Sequence, residues 1–277
     1  TAQKMYHEIS PETGEFIDFM IDHELMDLQN KPGKASTGYM TSLPSLKAPF
    51  VFSCFNHTIF DMQVLTHELG HAFAGYMAMR SQPISDYYSE STDIAEIHSM
   101  SMEQFAYPYA EWFFGDQADK FRFAHLQEAI TFVPFGVAVD EFQHICYAHP
   151  ELTPKERTYQ WHLLEEKYMP WRKYDNDPFM ERGGYWYHKL HIYLYPFYYI
   201  NYTLTTMGAM EFKKKYTENK PAAWQDYLNL CKTGGSRSYL ETLRYANLAN
   251  PFAAGSVARA CGYAEKILLD SIAAQEK

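Results

Sequence analysis

Apolar positions at Ile17, Met20, Ile21, Leu25 and Leu28 recur every three to four residues. This period predicts a helix that opens at Pro11-Glu12-Thr13-Gly14-Glu15 and stops at Lys31-Pro32-Gly33-Lys34. Ala35-Ser36-Thr37-Gly38-Tyr39-Met40-Thr41 and Pro49-Phe50-Val51-Phe52-Ser53-Cys54-Phe55 read as strands of a small antiparallel pair, and no other segment reads as a strand. From Thr58 the period is helical nearly to the end. One helix is predicted over 60–80 and a second over 92–105, with a loop around Pro83 between them. Further helices reach about residue 147.

Residues 150–154 break the pattern, and Pro154-Lys155-Glu156-Arg157 opens another helix. The stretch 171–184 is irregular. A tyrosine-rich segment at 185–202 leads into a further helix, and two more follow, separated by Thr233-Gly234-Gly235-Ser236. No repeat, low-complexity tract or linker interrupts the chain. The expectation is one mainly α domain over 1–277 with a small β-sheet.

A chain of 277 residues can bury a large core. A formal charge of −10 and the lack of a Lys/Arg cluster exclude a nucleic-acid surface. Cys54, Cys146, Cys231 and Cys261 are far apart and form no C-x-x-C. They read as free thiols of a reducing compartment. No run approaches the ~18 apolar residues of a membrane span, and no segment reads as a signal peptide, so the expected location is cytoplasmic with no membrane partner. The chain opens on Thr1, consistent with a piece of a longer protein.

The chemistry concentrates in Val64-Leu65-Thr66-His67-Glu68-Leu69-Gly70-His71-Ala72-Phe73, an H-E-x-x-H motif inside an apolar helix pattern. On a helix, His67 and His71 share a face and can reach one metal ion. Glu68, rotated by about 100°, can stand beside it as a general base toward metal-activated water. A catalytic zinc takes three protein ligands. In Asp93-Ile94-Ala95-Glu96-Ile97-His98-Ser99-Met100-Ser101-Met102-Glu103, the residues Asp93, Glu96, Ser99 and Glu103 fall close to one helical face. Glu96 is the candidate third ligand. Asp93 or Glu103 is left to hydrogen-bond a ligand histidine from behind. An ordinary solvated acidic face is the competing reading of Asp93–Glu103, and the nearby H-E-x-x-H tips the balance.

With Lys189-Leu190-His191-Ile192-Tyr193, Pro196-Phe197-Tyr198-Tyr199-Ile200-Asn201-Tyr202, Gly234-Gly235-Ser236 and Asn250-Pro251-Phe252, these motifs make the sequence resemble the oligoendopeptidase F group of the M3, thimet oligopeptidase-like metallopeptidases. The likeness is greatest to the shorter bacterial, Pz-peptidase-like branch, and it spans most of 33–265. The resemblance implies a zincin-type α-helical fold with a channel between two lobes, and a zinc endopeptidase of short peptides. It implies one Zn2+ on His67, His71 and Glu96, with Glu68 as base. It also implies that His191, Tyr198, Tyr199 and Tyr202 face the oxyanion and the substrate. Family members are longer, and their N-terminal helical lobe has no counterpart here. That lobe, as the rest of the same protein, is an expected partner.

Tyr185, Tyr187, Tyr193 and Tyr195 read as core packing with hydroxyls at the rim, and His188 is left open. Gly234 and Gly235 read either as a turn before a capped helix or, by the family likeness, as a substrate contact. The strand at Tyr39 offers an edge for an extended peptide. Two other readings stay open: a zinc carboxypeptidase of the related helical type, and a non-catalytic peptide-binding fragment. No fourth Cys or His stands at the spacing a closed structural zinc site requires, which weighs against the second.

Overall fold

A computed structural model of the chain describes residues 1–275 apart from Ser36. The chain runs through helices α1 (Ala2–Ile9) and α2 (Pro11–Asp22), strands β1 (Met26–Gln29), β2 (Tyr39–Leu43) and β3 (Ala48–Phe55), and helices α3 (Phe60–Ser81) and α4 (Thr92–Phe105). It continues through α5 (Glu111–Phe114), α6 (Ala118–Ala148), α7 (Pro154–Tyr168), α8 (Pro178–Glu181), α9 (Leu190–Leu194), α10 (Ile200–Glu218), α11 (Lys220–Thr233), α12 (Tyr239–Tyr245) and α13 (Ser256–Gln275). The fold is mainly helical with one small sheet, as the apolar period indicates.

Two differences from the sequence reading stand out at the start. The helix expected from Pro11 is α2, and a separate helix, α1, precedes it, the two meeting at Ser10. The Ser10 hydroxyl accepts from the Thr13 amide at 3.1 Å while Thr13 Oγ1 accepts from the Ser10 amide, a reciprocal cap with Pro11 in the first turn. The helix also ends earlier than expected. Its apolar spacing carries on through Leu25 and Leu28, but Glu24 turns into the left-handed region at φ 53° and the Leu25 amide returns to Met20 O at 2.9 Å. The chain then enters β1, where Leu28 lies on a strand. A spacing of three does not distinguish the last turn of a helix from a short half-buried strand.

The sheet therefore has three strands, in the order β1-β3-β2. β2 pairs antiparallel with β3, Tyr39 opposite Phe52, and β1 adds a parallel edge on the other side. Ser36, within the first segment read as a strand, lies outside the described residues.

The chain divides into two compact units. One comprises Thr1–Leu126 and the part from Thr205 onward, and the other is Gln127–Leu204. The single domain expected over 1–277 is thus organised as two units, each with its own core. The first unit's core gathers Phe16, Met20, Val51, Leu69, Phe73, Phe105, Phe212 and Tyr227. α3 and α11 flank it, and Phe105 and Tyr227 meet edge to face at 4.9 Å between ring centroids. The second unit packs Phe135, Phe142, Trp161, Trp186 and Tyr199. α7 there opens with a capping box between Thr153 and Glu156 behind Pro154.

Candidate metal centre and catalytic residues

α3 carries His67, Glu68 and His71, and its inner face (Leu69, Ala72, Phe73, Tyr76) is buried. α4 packs on it at Gly70. A Cβ added there would lie 2.7 Å from Ser99 Cα and 3.0 Å from His98 O, so glycine is what lets the two backbones approach this closely. Close approach brings Glu96 across to the histidines. Glu96 Oε2 stands 3.1 Å from His67 Nε2 and 3.3 Å from His71 Nε2, and the two imidazoles are 4.9 Å apart at 83°.

These three ligand atoms lie within 4.8 Å of one another, the one such cluster among the described residues. A tetrahedral zinc with ligands ~2.0–2.1 Å away separates them by about 3.3 Å. Two imidazole nitrogens and one carboxylate oxygen, held at close to that spacing, fit a zinc-type cation.

The surrounding hydrogen bonds fix the orientation of the donors. Glu103 Oε1 accepts from His67 Nδ1 at 2.7 Å, leaving Nε2 turned toward Glu96. Ser99 donates to Glu96 Oε2 at 2.9 Å. Of the two acids considered for the place behind a histidine, Glu103 is the one hydrogen-bonded there. No bond from Asp93 to either imidazole is found among the described residues. Burial alone would raise the Glu96 and Glu103 carboxyls. Their imidazole partners, His67 and His71 for Glu96 and His125 and His67 for Glu103, hold both well below the usual carboxylate range. Burial would likewise lower His67, but Glu103 and Glu96 push it well above the ordinary imidazole value.

Glu68 is buried, and its Oε2 has no hydrogen-bond partner. Burial raises its pKa, and the neighbouring His67 and His71 pull it back only in part. A carboxylate more basic than usual, beside a metal site and free to accept, suits proton abstraction. Its other oxygen lies beside Gly38, where an added Cβ would come within 3.3 Å of Glu68 Oε1. Sequence reasoning missed Gly38. Its only visible signal was a glycine inside a predicted strand, the usual mark of close approach.

Tyr39 is exposed on the edge strand β2 and stacks on Phe52 at 5.1 Å. Gly234, at φ 48°, and Gly235 press against the backbone of 85–89. Added Cβ atoms would lie 2.0 Å from Tyr87 O and 2.4 Å from Ser89 O respectively, and the Gly235 amide donates to Tyr87 O at 3.1 Å. Here the two glycines serve a tight backbone crossing.

In the second unit, His191, Tyr198, Tyr199 and Tyr202 come together. Ring centroids lie 6.3, 5.1 and 5.9 Å from His191 to the three tyrosines in turn. Burial, then the charge of Lys189, lowers His191, keeping it neutral with one N–H to donate. Tyr199 is buried in the core, where burial pushes its hydroxyl up to about 12, so it stays a neutral donor. Tyr185 packs against Phe135, while Tyr187, Tyr193 and Tyr195 are exposed rather than core.

Two residues behind the metal centre were not singled out in the sequence. His125 holds the second oxygen of Glu103, and Tyr107 bonds His125. Both lie outside the H-E-x-x-H and Asp93–Glu103 motifs, and no short spacing links them to either.

The sequence model described as Peptidase family M3 matches residues 6–261. Over 229 residues the chain is 26% identical to an oligoendopeptidase F homologue of Borreliella burgdorferi (strain B31), covering 81% of this chain and 38% of that protein. Two solved structures are similar over nearly the whole chain. One is a Pz peptidase A with an inhibitor, at TM-score 0.89 and 50% identity over 97% of this chain and 48% of its own. The other is a Bacillus anthracis (str. Ames) protein described as an oligoendopeptidase F, at 0.83 and 44%, over 97% and 45%. The chain spans less than half the length of each.

Proposed function

The chain belongs to peptidase family M3, and we propose that it carries the zinc-dependent catalytic centre of an endopeptidase acting on short peptides. The observation supporting this is the convergence of His67, His71 and Glu96 on one point with the unpartnered carboxylate of Glu68 beside it.

His67 Nε2, His71 Nε2 and Glu96 would hold one zinc ion. Bound there, zinc supplies Lewis acidity toward the scissile carbonyl and lowers the pKa of water toward neutrality. Glu68 takes the proton of the attacking water and returns it to the departing amine. Glu103 keeps His67 in the tautomer that offers Nε2. His191 with Tyr198, Tyr199 and Tyr202 supply N–H and O–H donors for the oxyanion, a role resting on their chemistry and their grouping in the second unit. The edge of β2 at Tyr39 receives an extended peptide through main-chain bonds. Short peptides as substrates, a cytoplasmic setting, and the remaining lobe of a longer protein as partner belong to the same proposal.

The test is an internally quenched peptide blocked at both ends. Cleavage requires an endopeptidase, since a carboxypeptidase needs a free C-terminus. Glu68→Gln should keep its zinc and lose nearly all hydrolysis. Substantial turnover by that zinc-replete variant would remove Glu68 from the mechanism.

A further inference from the structure

Glu103 is buried and uses both carboxylate oxygens. Oε1 faces His67 Nδ1 at 2.7 Å and Oε2 faces His125 Nε2 at 2.5 Å. On its far side, His125 Nδ1 is 2.7 Å from the Tyr107 hydroxyl. The ring of His125 is clamped flat against Phe121, 5.6 Å apart at 8°. Tyr107 is itself fixed. Arg122 donates to its backbone carbonyl through Nε and Nη2 at 3.0 and 2.9 Å, and Lys213 Nζ sits over its ring at 3.5 Å.

With His125 neutral, the hydrogen bonds around an ionised Glu103 all run one way. The Tyr107 O–H donates to His125 Nδ1, His125 Nε2–H donates to one oxygen of Glu103, and His67 Nδ1–H donates to the other. Glu103 and His125 are each held on both sides, so neither is free to turn. A buried carboxylate with only one donor would be under-satisfied and free to rotate away from His67.

We propose that His125, set by Tyr107, is a positioning residue for the metal centre. By holding the second oxygen of Glu103 it fixes the orientation of His67 and so determines how tightly zinc is retained. The proposal rests on His67, His71 and Glu96 being the zinc ligands, as in the functional reading above. It adds a layer beyond the carboxylate, drawn from α6 and from the turn after α4.

The experiment measures zinc dissociation constants by competition with a chromophoric chelator, together with thermal unfolding of each variant. His125→Ala should bind zinc about 10- to 100-fold more weakly while unfolding as one cooperative transition. His125→Gln retains an amide N–H for Glu103 and should recover most of that loss, a rescue that a purely space-filling role would not give. Tyr107→Phe, which deletes one oxygen and keeps the ring, should weaken zinc by several-fold. It provides the test if His125→Ala does not fold. Zinc affinity within twofold of the parent in His125→Ala, or in Tyr107→Phe should the former not fold, overturns the proposal and leaves the peptidase reading standing. Tight zinc binding by the parent with the expected losses in the variants, but no peptide cleavage, supports the proposal and removes the peptidase reading instead.

Discussion

Gly70 lies against Ser99 so closely that a single methyl group would reach within 2.7 Å of the Ser99 Cα. This glycine, inside the H-E-x-x-H motif, fixes the separation of α3 and α4. Ser99 in turn donates to Glu96 Oε2. Gly70→Ala should push α4 away, carrying Glu96 from His67 and His71. The expected outcome is a loss of about 1–3 kcal/mol of stability from overpacking and a zinc affinity reduced by at least tenfold. Thermal unfolding and chelator competition check the two parts separately.

A second close approach, of Gly38 to Glu68, acts on the base rather than on the ligands. An added Cβ would stand 3.3 Å from Glu68 Oε1 and 3.5 Å from Val64 Cγ1, a contact that requires the carboxylate to give way slightly. Gly38→Ala should leave zinc binding intact and lower kcat by about tenfold, since small misplacements of a reacting group are costly. Gly38→Val should be worse. Equal kcat for all three proteins at saturating zinc would show that Glu68 has room to spare.

The glycine pair before α12 yields a prediction about stability. Gly235→Ala drives a methyl to within 2.4 Å of the Ser89 carbonyl oxygen, and Gly234→Ala adds a strained φ of 48° to a worse overlap. Each should cost about 1–3 kcal/mol, read as a lower midpoint in urea. If Gly235→Ala were neutral in urea but raised KM several-fold, the pair would serve the substrate rather than the backbone crossing.

Much of this arrangement was legible from sequence because it is local. His67, Glu68 and His71 sit on one helical turn, and the period that predicts a helix over 92–105 also puts Glu96, Ser99 and Glu103 on one face, as α4 shows. The strand pair was legible through its β-branched and aromatic residues. β1 was not, because its four residues are too few to show an alternation and Leu25 and Leu28 keep the helical spacing. His125 and Tyr107 were illegible for another reason. Their link to Glu103 exists only once α6 and the turn after α4 are packed, and nothing in a period of 3.6 records a contact across 22 residues. The division into two units was hidden because helices α6 and α10 run through both boundaries with no linker composition.

Lys213 gives the pH dependence. Its ammonium is buried with the Tyr107 ring as its counterpart, and burial, then the charge of Arg122, pulls its pKa down to about 7. The unfolded chain holds that proton up to about pH 10.4. Between these two values the unfolded state binds the extra proton and the folded state does not, so this group makes stability rise with pH across the window. Below about pH 7 both states are protonated and the full penalty of the buried charge is present. Lys213→Met removes the penalty at the expense of the cation–π contact. The difference in melting temperature between Lys213→Met and the parent should therefore be largest and positive at pH 6 and shrink steadily toward pH 10. A constant difference over that range would mean that the Tyr107 ring holds the charge as well as water does, and that Lys213 keeps its proton in the folded protein.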